Sequence, residues 1–178
     1  KERRIVAYHE AGHALVGEIL PQANPVQKIS IVSRGVAALG YTLNMPTEDR
    51  YLMTLEEIED TLASVLGGRA AEEIVFGEIS TGASNDLKQA TSMAERMVKE
   101  YGMSERLGLV AQRSDQHSEN FMGAGSQDRP YSEETAKAID EEISRIIRTG
   151  YNRAKTILNE QRDSLEKTVA ILFEKEVM

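Results

Sequence analysis

Two histidines four residues apart, in the run His9-Glu10-Ala11-Gly12-His13, constrain this chain more than any other feature. The residues around them make the run part of a helix. Ile5, Val6, His9, Gly12, His13, Val16, Ile19 and Leu20 recur at three- and four-residue spacing until Pro21 ends the pattern. On a helix, positions i and i+4 share a face, so both imidazoles reach the same point in space. They are two of only three histidines in the chain. One divalent metal ion can take both, and Glu10, next to the first histidine, stands beside a metal-bound water instead of on the metal. Zinc lowers the pKa of such a water to about 7, and a carboxylate then takes its proton as it attacks a peptide carbonyl. The spacing predicts a zinc hydrolase whose first helix carries the site.

A catalytic zinc keeps three protein ligands and one open position. The longer motif with a further histidine six residues on is absent, because Ile19 occupies that place and Val16 stands where the motif has Gly. The third ligand therefore lies elsewhere, among His117, Glu72, Glu73 and Asp86. His117 falls in a polar stretch with no periodicity, a poor support for a rigid ligand. Glu72 and Glu73 fall in a helix, where the alternative to ligation is a solvated edge or a hydrogen bond to a ligating histidine. For Asp86 the alternative is simple charge complementarity at a helix N-terminus, worth about 0.3–1 kcal/mol. Residue chemistry leaves Asp86 and the glutamate pair nearly even, with a slight preference for Asp86 from the unusual loop that presents it.

The rest of the chain reads as mainly α with one small β element. Val26–Val32 and Leu39–Leu43 are β-branched or aromatic runs joined by the turn-like Ser33-Arg34-Gly35-Val36, with Ile29 and Ile31 on one face and Lys28 and Ser30 on the other. Thr54 with Glu57 forms a capping box that opens a second helix, expected to run through Gly67-Gly68 to Val75 before Gly77 ends it. Each internal glycine costs about 1 kcal/mol relative to alanine, which is offset where another backbone approaches closely. Ser80 to Asp86 is a turn-rich loop with Ser84 as the expected N-cap of a helix that Gly102 closes. Residues 112–130 are polar and aperiodic, the pattern of a mobile loop. A long helix is expected from about Ser132, carrying Ala136, Ile139, Ile143, Ile146, Ile147 and Tyr151 on one side. Asp163 with Glu166 reads as a capping box opening the last helix.

Composition excludes several classes. The 178 residues carry a net charge of −8, which argues against a non-specific nucleic-acid or anionic-membrane binder. There is no cysteine, so no disulfide framework, thiolate zinc knuckle or cysteine nucleophile is available. Hydrophobic residues make up 40%, enough for a real core, and with three Phe and no Trp it must be filled by aliphatic side chains. No apolar run approaches the roughly 18–20 residues that span a bilayer, and no signal-peptide pattern opens the chain. That sets aside an intramembrane protease built on the same motif. Since helix-compatible residues begin almost at Lys1, the chain reads as a soluble piece cut from a longer polypeptide.

Nearly end to end, the sequence resembles the protease domain of the FtsH family, membrane-anchored ATP-dependent zinc metalloproteases. The matching stretches are Tyr8 to Leu15 around the two histidines, Ala38-Leu39-Gly40-Tyr41-Thr42, Asp49-Arg50-Tyr51-Leu52, Leu66 to Ile74, Ser80 to Leu87, Tyr101-Gly102-Met103-Ser104 and Tyr131 to Ala136. Departures are small: Ser33 stands where the family often has Pro, and residues 112–130 match poorly. In that family the aspartate of the Ser-Asn-Asp segment is the third zinc ligand, which the resemblance carries onto Asp86. His9 and His13 inherit the other ligand roles and Glu10 that of general base. The resemblance implies a zinc-protease domain over 1–178, divisible into a catalytic core at 1–111 and C-terminal helices at 131–178, with one Zn2+ per chain and the small sheet beside the active-site helix. It further implies an ATPase module in cis that uses ATP and Mg2+ and membrane anchors that precede Lys1. No phosphate-binding loop occurs within these residues, so ATP belongs to that module. A homo-hexameric ring, unfolded polypeptide substrates and a bacterial inner-membrane location with this domain cytoplasmic follow from the same resemblance, while the expectation of no nucleic-acid partner comes from the net negative charge. Mitochondrial and chloroplast membranes are its other settings.

Two further readings compete with an ATP-fed endopeptidase: a peptidase acting alone, and a non-catalytic zinc module. Glu10 speaks against the second, because a purely structural site has no use for an unligated carboxylate beside the ion. The strand near Leu39–Thr42 could accept an extended substrate as an added strand, in which case Gly40→Pro should abolish cleavage while zinc stays bound. The alternative is an ordinary strand packed over the first helix. The Ile-rich stripe of residues 136–158 could serve assembly, although such faces are more often core.

Overall fold

The computed structural model describes residues 2–32, 40–44, 52–111 and 131–177. The expected turn at 33–36, the start of the second strand at Leu39, and the 112–130 segment with His117 lie outside them. The described residues form α1 (Glu2–Ile19), β1 (Val26–Ser30), β2 (Tyr41–Asn44), α2 (Leu55–Phe76), a single 3-10 turn (Thr81–Ala83), α3 (Ser84–Lys99), α4 (Glu133–Glu160) and α5 (Arg162–Lys175). This is the mainly helical architecture with a small antiparallel pair that the periodicity predicts. By contact density the chain divides into two compact units, Lys1–Ala90 with Arg148–Met178, and Thr91–Ile147.

In the first unit α1 packs chiefly on α2 and then on α5. The α1–α2 contact is made of small residues, with Ala7, Ala11 and Ala14 facing Ala63, Ala70 and Ala71, all at most 5% exposed. At its centre a Cβ on Gly12 would stand 2.5 Å from the Gly67 carbonyl oxygen, and one on Gly67 would stand 2.6 Å from that of Gly12. Backbone meets backbone there, the close approach expected to offset glycine in a helix. Larger side chains, Leu158, Leu165, Val169 and Leu172, fill the same core from α4 and α5. Asp60 of α2, almost fully buried, accepts from the Gln22 N–H at 3.0 Å and pairs with Arg153 of α4 at 2.6 Å.

Helix α2 begins with the expected capping box, in which the Glu57 N–H reaches the Thr54 hydroxyl and the Thr54 N–H reaches the Glu57 carboxylate. Gly77 ends it at φ 66°, the left-handed conformation for which glycine is suited. Two other boundaries differ from expectation. Ser84 is already helical, and the capping hydroxyl is that of Ser80, which accepts from the Gly82 N–H as the 3-10 turn leads directly into α3. Helix α5 starts at Arg162 without a side-chain cap, so Asp163 lies inside its first turn. Glu166, expected to reach back to that cap, instead binds the Tyr8 hydroxyl and Arg162. One long-range partner, Tyr8, and one neighbour a helical turn away, Arg162, outcompete the capping interaction.

β1 and β2 are antiparallel, with Ile29 opposite Thr42 and Ser30 opposite Tyr41. Ile29 and Ile31 are buried as the alternation predicts. Ser30 is buried too, because the end of the chain returns to this strand: Val177 bridges Ser30, and the Ile31 N–H donates to the Glu176 carbonyl at 3.0 Å.

In the second unit Ala94, Met97, Val98, Ala136, Ile139, Ile143 and Ile146 are buried. The apolar stripe of this part of α4 is therefore core. Glu142 is 3% exposed, yet the Ser104 hydroxyl at 3.0 Å and the Arg145 guanidinium satisfy its carboxylate.

Candidate metal centre

The i, i+4 spacing on α1 brings the two imidazoles together at their Nε2 atoms, 3.0 Å apart. Asp86, in the first turn of α3, places Oδ2 3.1 Å from His9 Nε2 and 3.5 Å from His13 Nε2. Two nitrogens on one helix and an oxygen about seventy residues later in sequence thus converge on a point, with each of the three side chains 12–17% exposed. Among the described residues this is the trio of ligand atoms near enough to share one ion.

The far side of each ring is held as firmly. His13 Nδ1 donates to the Ser64 carbonyl of α2 at 2.9 Å, and His9 Nδ1 donates to Glu72 Oε1 at 2.7 Å. A ring that donates through Nδ1 presents a lone pair at Nε2, so both rings aim acceptors at the same point. Glu72 is 1% exposed and uses both oxygens, since Oε2 accepts from the Ser80 N–H at 2.7 Å. One carboxylate therefore orients His9 and also ties down the loop that delivers Asp86. Burial opposes its charge, but the His9 and Ser80 donors hold it below the ordinary glutamate range.

Three acceptors facing one another repel unless a cation lies between them. Asp86 Oδ2 is buried and has no hydrogen-bond donor, an arrangement that folded proteins rarely leave unexplained. Without a metal, a proton has to serve. Burial disfavours charge on His9, yet the Asp86 and Glu72 carboxylates outweigh it and push its pKa up to about 9. Asp86 is likewise penalised by burial and held well below the usual carboxylate range by His13 and His9. Zinc fits the trio better than a proton does. Tetrahedral ligands about 2.0–2.2 Å from zinc stand roughly 3.3–3.5 Å from one another, close to the separations found, and two nitrogens with one oxygen are a common catalytic donor set.

Glu10 is 7% exposed and outside this trio. The Thr42 hydroxyl of β2 lies 2.7 Å from Glu10 Oε2 and 3.1 Å from the Glu10 carbonyl, so the sheet fixes the carboxylate next to the histidines. The structure thus gathers His9, His13, Asp86 and Glu10 and separates them from Glu73, which turns away to Lys155 at 2.8 Å and to the Tyr151 hydroxyl. Glu72 lies behind His9 and not among the converging atoms. Ser64 and Thr42 carry no signal in the residue pattern. Ser64 holds the His13 ring through its backbone carbonyl, with its hydroxyl donating to the His13 carbonyl at 3.3 Å, and Thr42 lies in the strand read as a substrate edge, where nothing in the residue pattern ties its hydroxyl to Glu10.

A buried two-histidine, one-carboxylate cluster with a further glutamate beside it, on a helix backed by a small sheet, defines a metallopeptidase-like site. The model of Peptidase family M41 matches residues 1–178, and the chain belongs to that family. It is 55% identical over 177 residues to the ATP-dependent zinc metalloprotease FtsH of Syntrophobacter fumaroxidans, covering 99% of this chain and 27% of the relative. It is 54% identical to FtsH 4 of Synechocystis sp., covering all of this chain and 28% of the relative, and 50% identical to FtsH of Thermotoga maritima, covering all of this chain and 29% of that protein. The chain therefore spans little more than a quarter of the length of the curated relatives it matches.

Proposed function

We propose that this chain is the zinc-dependent endopeptidase domain of an ATP-dependent protease, with His9, His13 and Asp86 as the protein ligands of one Zn2+ and Glu10 as general base. The convergence of three lone-pair donors on one buried point, with Glu10 adjacent and unligated, carries this reading. When bound, zinc supplies Lewis acidity, which polarises the peptide carbonyl and makes water acidic enough to deprotonate near neutrality. Glu10 takes that proton and returns it to the departing amine nitrogen. Thr42 engages Oε2, which leaves Oε1 as the atom that accepts and releases it. Glu72 and Ser64 keep both rings in the tautomer with a free Nε2.

β2 contacts Glu10 through Thr42, so an extended polypeptide paired along this strand would pass the base. Main-chain pairing reads little sequence, which suits unfolded substrates. Gly40→Pro is a blunt test of that idea, because a Cβ at position 40 would stand 3.0 Å from Glu10 Cγ and 2.9 Å from the Ser30 carbonyl. N-methylating successive amides of a peptide substrate leaves the protein intact, and a loss of cleavage confined to alternate amides would support the added strand.

The relatives' names and the small share of their length that this chain covers support an ATPase module in cis, where ATP and Mg2+ are consumed. Family resemblance adds a homo-hexameric ring, membrane anchoring in the bacterial inner membrane with this domain on the cytoplasmic side, and unfolded or membrane proteins as substrates in protein quality control. Among the described residues no helix is long and apolar enough to cross a membrane, so this reading assigns the anchor to other segments. The decisive test is Glu10→Gln in the full-length protein, assayed on an unfolded protein with ATP. Cleavage should fall by about 10²–10⁴-fold with zinc content unchanged by metal analysis. Undiminished cleavage would overturn the mechanism.

A further inference from the structure

The adjacent glycines Gly67 and Gly68 of α2 face different things. A Cβ on Gly67 would meet the Gly12 backbone, its carbonyl oxygen at 2.6 Å and its carbonyl carbon at 3.0 Å. A Cβ on Gly68 would meet no backbone among its three nearest atoms. It would stand 2.5 Å from His13 Nε2 and 2.7 Å from both His9 Nε2 and His9 Cε1. Those are the two nitrogens aimed at the metal position.

We infer that Gly68 is a positioning residue of the metal centre: its missing side chain is the space into which the two imidazole tips converge, whereas Gly67 serves the helix crossing. This rests on the zinc reading above. A methyl group at 68 does not press on anything the fold needs in place, since ring tips are the free ends of side chains. The rings cannot simply swing aside, however. Each is anchored at Nδ1, His9 by Glu72 and His13 by the Ser64 carbonyl. A ring pushed at Nε2 either rotates about that anchor or breaks it, and in both cases the lone pair leaves the point it shared with Asp86 Oδ2. Gly68 is buried in mid-helix, where glycine is intrinsically worse than alanine. Helix formation gives no reason for it, and the crossing with α1 is served by its neighbour. The imidazole pair is the reason that remains.

The experiment compares Gly68→Ala, Gly67→Ala and His13→Ala with wild type in the full chain. Zinc affinity is read by competition with a chromophoric chelator, site geometry by the visible spectrum of the cobalt(II) form, and fold stability by thermal unfolding in excess chelator. Gly68→Ala should unfold at or above the wild-type temperature when metal-free, bind zinc about 10–100-fold more weakly, and show an altered cobalt spectrum. Gly67→Ala should unfold at a lower temperature. Zinc binding by Gly68→Ala within about threefold of wild type, with an unchanged cobalt spectrum, would overturn the inference. So would a metal-free Gly68→Ala that is unfolded or as destabilised as Gly67→Ala, because that would make Gly68 a packing residue. If His13→Ala leaves zinc affinity untouched, the zinc reading itself fails, a result distinguishable from both.

Discussion

Helix α2 supports two buried carboxylate clusters that invite comparison. Near its start Asp60 is matched on both oxygens, Oδ1 by Arg153 and Oδ2 by the Gln22 N–H. Along its length Glu72 supports His9 and the loop that carries Asp86, whose Oδ2 has no donor and faces two imidazole nitrogens. Both clusters tie α2 to distant parts of the first unit. The first is complete in itself, so it holds the fold. The second is complete only when something positive enters, which is the place the proposed zinc would take. A buried charge is thus read by what its partners leave unsatisfied and not by its burial.

The sharpest way to break this contrast is to neutralise each aspartate. Asp86→Asn should weaken zinc binding by more than about 100-fold, beyond the range for outer-sphere changes, with little loss of metal-free stability at a pH above 9, where His9 no longer carries the proton that Asp86 helps to hold. Asp60→Asn should do the reverse, leaving zinc affinity near wild type while costing about 1–3 kcal/mol in urea unfolding, with half-exposed Arg153 limiting the loss. Equal effects of the two on zinc affinity would erase the distinction. Next in size is Glu72→Gln, which retains an acceptor for His9 but cannot accept from both His9 and Ser80. Zinc affinity should fall by about 10–100-fold, measured by chelator competition.

Acidity sharpens the comparison further. In the metal-free chain His9 has a pKa pushed up to about 9 from its ordinary 6.5, so its proton contributes stability that is fully present below 6.5 and lost as pH rises through 9. Zinc must displace that proton. Its apparent affinity should therefore rise by about tenfold per pH unit toward 9, while the metal-free chain grows less stable over the same window. Affinities at pH 6, 7 and 8 with matched unfolding curves would show the opposed trends; a flat affinity would mean that no proton occupies the empty trio. The smallest effects concern helix ends. Thr54→Ala should cost about 1 kcal/mol through its capping box, whereas exposed Asp163→Ala should stay within about 0.5 kcal/mol.

The cap comparison shows where local sequence stops being informative. Thr54-Glu57 and Asp163-Glu166 share one pattern, and only the first forms a box. Glu57 closes its box with Thr54, while Glu166 has Arg162 one turn before it on α5 and Tyr8 within reach once α1 and α5 pack. The same holds for Glu72 and Glu73, which residue chemistry treats alike. Helical rotation turns one under His9 and the other toward α4, and which side faces the histidines is set by how α2 crosses α1. Ser64 contributes a carbonyl, which any residue possesses, so no reading of side-chain types could have found it. The small-residue helix crossing was legible only as an expectation of close approach around Gly67-Gly68.

From residue order alone come the helices, the small strand pair, the paired histidines with their glutamate, and a shortlist for the third ligand, because these depend on periodicity and on contacts a few residues apart. Only the tertiary structure brings Asp86 to the histidines, sets Glu72 behind His9, lays Thr42 on Glu10 and gives neighbouring glycines separate tasks. Those outcomes depend on the distance and angle at which α1 and α2 cross, a quantity summed over many small contacts that no short stretch of the chain encodes.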